Sequence, residues 1–153
     1  MKIIALFILS LFAAPQSSNP YCGTSPDDFY PIPQPNCPST STIDINCAAA
    51  CADLWQTEMM LAYDAACASY AAAEAEWNSW EAAIQAGYEA CMAVAQTPQD
   101  GVNCYRTMLQ QQDANQDLFD LRKGYIEEDL ADDVQDAMDS YNDCTDDCCI
   151  NGH

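Results

Sequence analysis

The chain has 153 residues, with four Lys or Arg against 24 Asp or Glu, a formal net charge of −20, ten Cys and one His. So anionic a chain is a poor partner for nucleic acid or for an anionic membrane surface. With His153 as the one imidazole, a base for nucleophilic catalysis and a mixed Cys/His metal site are both wanting, so no enzyme activity, cofactor or metal is expected.

The opening MKIIALFILSLFAAPQSSNP places Lys2 before an apolar run from Ile3 to Leu9 that continues through Ala14, followed by small and polar residues. This is the form of a secretory signal peptide over residues 1–18, with cleavage between Ala14 and Ser18. The run is shorter than the ~20 residues of a spanning helix, so no membrane association is expected after cleavage. Loss of Lys2 leaves three basic residues against 24 acidic ones, a net charge of −21. All ten Cys lie beyond the leader, and an even number in an exported chain reads as a disulfide framework in a secreted or otherwise extracytoplasmic protein.

Residues 19–43 carry Pro20, Pro26, Pro31, Pro33, Pro35 and Pro38 among Ser and Thr, which excludes a regular helix and predicts an extended or locally turning strap. Its Cys22 and Cys37 imply that it is tied down. From Asp44 the composition changes to Ala-rich sequence without Pro, predicting a helix over about 44–96 with Gly87 as its weak point. The segment TPQDG then breaks the pattern. Thr97 as cap, Pro98 at the first helical position and Asp100 at the third predict a second helix over about 98–147, with Gly124 its weak point, ahead of a short tail at 150–153.

In an antiparallel helix pair, facing residues have numbers that sum to a constant, twice the position of the turn. Cys47 with Cys148, Cys51 with Cys144, and Cys91 with Cys104 each sum to 195, and half of that lies between Thr97 and Pro98. The sequence therefore predicts an all-α fold: a long antiparallel hairpin over 44–149, stapled by those three disulfides. Cys67 lies about 160° around the first helix from Cys51 and must look elsewhere, so reach assigns Cys22–Cys67 and Cys37–Cys149 to the strap, with Cys148 and Cys149 able to exchange roles. Counted at about 100° per residue from Cys51, the expected seam holds Leu61, Ala62, Ala65, Ser69 and Ala73. Leu130 is then expected opposite Ala65, Ile126 opposite Ser69, and Val134 opposite Leu61.

Beside that seam runs a line of large side chains, with Trp55, Trp77 and Tyr88 spaced by 22 and 11 residues. Either the strap's Tyr21, Phe29, Tyr30 and Ile32 cover it, or it is a contact stripe for a protein partner, for self-association or for a small apolar ligand. The stretch DANQD puts Asp113, Asn115 and Asp117 at the first three ligand positions of a calcium loop, but Leu118 stands where the turn needs Gly and Gly124 where a Glu is needed. A polar helix face is the better reading. Acidic residues from Glu127 to Asp147 recur at helical spacing and read as a solvated face, with weak calcium binding as the alternative.

In architecture alone, two Cys-x3-Cys pairs at 47–51 and 144–148 on a helical hairpin resemble the small chaperones of the mitochondrial intermembrane space. Those proteins separate their motifs by a far shorter segment, and a secretory leader is foreign to them, so no function is carried over. The expectation is a secreted, acidic, non-enzymatic binding or structural protein. A carrier of a small apolar ligand and a low-affinity calcium binder are the alternatives.

Overall fold

A computed structural model describes residues 19–29, 31–35, 37–38 and 41–151. The proposed leader at 1–18, Tyr30 and His153 lie outside the described residues. Two helices of 50 residues each, α1 (Ile45–Val94) and α2 (Pro98–Asp147), run antiparallel as a hairpin. At 1.5 Å per residue each is about 75 Å long.

Local chemistry sets the helix ends. The Asp44 side chain accepts from the Asn46 and Cys47 amides, capping α1, which ends at Val94 rather than at the expected 96. At the turn, the Thr97 side chain accepts from the Asp100 amide while the Asp100 carboxylate accepts from the Thr97 amide, closing a capping box with Pro98 at the first helical position. Neither Gly87 nor Gly124 interrupts its helix.

The strap contains a 3-10 turn at Pro26–Phe29 and a short strand, β1 (Ser41–Ile43), which pairs antiparallel with β2 (Cys149–Asn151) in the segment after α2. Sequence reasoning did not find this two-stranded clasp. It adds backbone hydrogen bonding to the covalent tie at the end where α1 begins and α2 finishes, helped by the Asp44 amide donating to the Cys148 carbonyl at 3.0 Å.

The ten Cys form five disulfides, Cys22–Cys67, Cys37–Cys149, Cys47–Cys148, Cys51–Cys144 and Cys91–Cys104, the pairs obtained from the constant sum and the reach of the strap. Three link the helices to each other and two fasten the strap.

Candidate contact surface

The interface between the helices repeats every 11 residues. On α1 the inward positions are Cys51, Trp55, Met59, Ala62, Ala66, Tyr70, Ala73, Trp77, Glu81, Ile84 and Tyr88, in repeating steps of four, four and three. On α2 they are Cys104, Met108, Gln112, Asn115, Phe119, Lys123, Ile126, Leu130, Val134, Ala137, Tyr141, Thr145 and Cys148, in the same steps. Eleven residues in three turns is about 98° per residue, which keeps one face inward over a long helix.

This repeat corrects two expectations. Leu61, Ala65 and Ser69, expected in the seam, are exposed, whereas Ala62 and Ala73 are buried as expected. Trp55, Trp77 and Tyr88, expected as a separate stripe, belong to the seam itself. Trp55 is buried between the strap's Phe29 and Tyr141 of α2, Trp77 packs on Phe119, and Tyr88 packs edge-on against Tyr105. The cause is geometric: Cys51 lies at one edge of the buried stripe, and at about 98° per residue Trp55 and Met59 stand about 33° and 65° further round, so a face centred on Cys51 is turned away from it.

The strap covers only part of the rod. Phe29 packs against Trp55 and Tyr63, the Tyr141 hydroxyl donates to the Pro33 carbonyl, and Tyr21 packs edge-on against Tyr70 while its hydroxyl donates to Glu127. Burial, and next the Glu127 charge, push the Tyr21 hydroxyl pKa up. Tyr70 and Glu127 mark the far edge of the cover. Both clusters of buried apolar residues lie at or before that edge or just past it, at Ala73.

Beyond the edge, residues 71–125 form a two-helix segment around the turn that is bare of cover among the described residues. Its middle is polar: buried Asn115 donates to the Trp77 carbonyl at 3.2 Å and to Glu81 at 2.8 Å, and Gln112 donates to Glu81 at 3.2 Å. Asp113, Asn115 and Asp117 are all helical, so DANQD forms no calcium loop, and Asn115 turns into the seam rather than joining a polar face.

On the face away from the strap, this segment exposes Trp80, Leu118 and Tyr125 at 54%, 43% and 57% around Glu76 and Arg122. Arg122 pairs with Glu76 among them and holds its carboxyl below the usual range. Toward the turn the same face opens into a groove of about 460 Å³, with Gly87, Cys91 and Val94 on one wall and Asn103, Thr107 and Gln111 on the other. Apart from its chain neighbours and the helix's own backbone, no atom lies within 4 Å of where a Gly87 side chain would begin.

Charge divides along the same line. Residues 71–125 hold eight Asp or Glu and all three of Arg106, Arg122 and Lys123, a net of −5. Residues 19–70 and 126–153 hold 16 Asp or Glu and no Lys or Arg.

The sulfurs of Cys47, Cys51 and Cys148 lie within 4.8 Å of one another, with Cys51 Sγ 3.6 Å from Cys148 Sγ. All three are oxidised in disulfides, so they offer no thiolate to a metal. Comparison with protein-family models, curated proteins and solved structures returns no match.

Proposed function

We propose that the protein is secreted and acts as an acidic, non-enzymatic structural or binding rod. The observation that carries this reading is the covalent closure of a thin hairpin at both its ends, by Cys47–Cys148 and Cys51–Cys144 at one and Cys91–Cys104 at the other. Such closure holds a shape that so thin a core would hold weakly, and what it preserves is surface. Five disulfides fit an oxidising compartment, and no described helix is long and apolar enough to cross a membrane.

Neither alternative gains support. An apolar ligand between the strap and Trp55 would have to displace Phe29 and Tyr141, which occupy that space. The carboxylates from Glu127 to Asp147 are spread along a helix rather than gathered by a loop.

Expression from its own first codon in an exporting host tests the reading. The expected product is found in the medium, begins between residues 15 and 19, has no free thiol, shows no saturable binding of an apolar fluorescent probe, and responds alike to calcium and magnesium. Retention inside the cell with free thiols, or a saturable site for the probe or for calcium, would overturn it.

A further inference from the structure

We infer that the bare face of residues 71–125 is a self-complementary interface, on which a second copy of this chain packs antiparallel about a two-fold axis at the level of Ala83 and Ile84. The inference names the partner that the structural reading leaves open. Three observations lead to it independently.

First, the face carries a knob and a hole. Trp80 projects from α1, and along the same stripe, about 10 Å toward the turn, lies the groove at Gly87. A two-fold axis midway between them, near residue 84, seats each Trp80 in the other copy's groove, as an isologous interface requires.

Second, residue 84 is also the midpoint of the stretch of α1 from 71, level with Lys123 and Arg122 of α2, to the turn at Thr97. The same axis therefore superposes the whole bare segment of one copy on that of the other. The two highly acidic, strap-covered halves then point away at opposite ends, each with 16 Asp or Glu and no Lys or Arg. A longer overlap would bring one of these halves against a neighbour and cost like-charge repulsion, and a shorter one would leave part of the segment unpaired.

Third, the area suffices. An overlap of about 27 residues is about 40 Å long, and two helices side by side are about 20 Å wide. The product, roughly 800 Å² per partner, is the size of a standard stable interface.

Sedimentation and small-angle scattering on the oxidised, leader-free chain test this, with two variants. Trp80→Ala removes the knob, and Gly87→Glu fills and charges the hole at a site where the monomer has open space and gains a better helix former. The expected result is a dimer about 110 Å long, twice 75 Å less the 40 Å overlap. Each variant should weaken dimerisation at least tenfold at unchanged helicity. A monomeric wild type, a dimer no longer than one rod, or a dimer indifferent to both variants would overturn the inference. None of these outcomes bears on export, thiol content or ligand binding, which decide the reading beneath it.

Discussion

The strap-covered half of the hairpin and the bare half near the turn share one 11-residue repeat, yet they solve the problem of a thin core differently. Two helices have a single seam, and large side chains there stay wet on their outer edges unless a third layer covers them. Where the strap supplies that layer, Trp55, Tyr70 and Tyr141 are buried, with Phe29 and Tyr21 laid over them. Where it does not, the seam is filled by the polar set of Asn115, Gln112 and Glu81, and Trp77 and Tyr88 are only half-buried. Residues that would suit a third layer, such as Trp80 and Leu118, stand uncovered there. The comparison teaches that cover and seam go together: an apolar seam where the strap lies over it, and a partly polar one where it does not.

The largest test of that contrast is Trp55→Ala. Removing an indole packed by Phe29 and Tyr141 should cost about 3–5 kcal/mol in chemical denaturation, whereas Trp80→Ala, measured at concentrations where the chain is monomeric, should stay within about 0.5 kcal/mol. Equal effects would mean that the strap is not a core layer.

Asn115→Leu should come next. It leaves Glu81 and the Trp77 carbonyl without their shared donor, at a cost of about 1–3 kcal/mol. Amide exchange should quicken in residues 71–125 and hold steady under the strap; a uniform change would show one cooperative rod instead of two unlike halves.

The smallest effect is expected at the turn. Thr97→Ala removes the capping box at a cost of about 1 kcal/mol, and Thr97→Ser should restore most of it. The Thr97 side chain, with the Thr97 and Gln96 amides, holds the Asp100 carboxyl below its usual range. A lowered folded pKa means that this contribution is present above the unfolded carboxylate value of ~4 and is lost as pH falls through the lower, folded value. Melting curves of Asp100→Asn against wild type should therefore converge in strong acid and separate above about pH 4.

The staples and the turn were legible in the sequence because both are fixed by counting. Cys47, Cys51 and Cys91 find Cys148, Cys144 and Cys104 through one sum, and Thr97, Pro98 and Asp100 mark a helix start on their own. The seam was misplaced because a step of 100° and an origin at Cys51 turn the assigned face away from the one set by the larger groups. The spacing of Trp55, Trp77 and Tyr88 holds the correct period, but a period alone does not say whether the line faces a neighbouring helix or solvent. The clasp of β1 and β2 left no trace, since three residues on each side are too few for an alternating pattern. Asn115 was hidden within a stretch that is polar throughout, where only the repeat of Cys104, Ile126, Ala137 and Cys148 at multiples of 11 could have pointed to it.

The repeat of the seam has one more consequence, for how such a molecule changes size. Inserting or removing 11 residues in each helix between its disulfides returns every later side chain to the same face, so that Cys91 still meets Cys104 and the outer staples still close. Each such step alters the rod by about 16 Å without altering its cross-section. Length is therefore a quantity this fold can change in whole units, and a gene that gains or loses 33 nucleotides in each arm encodes a rod of another length with the same staples.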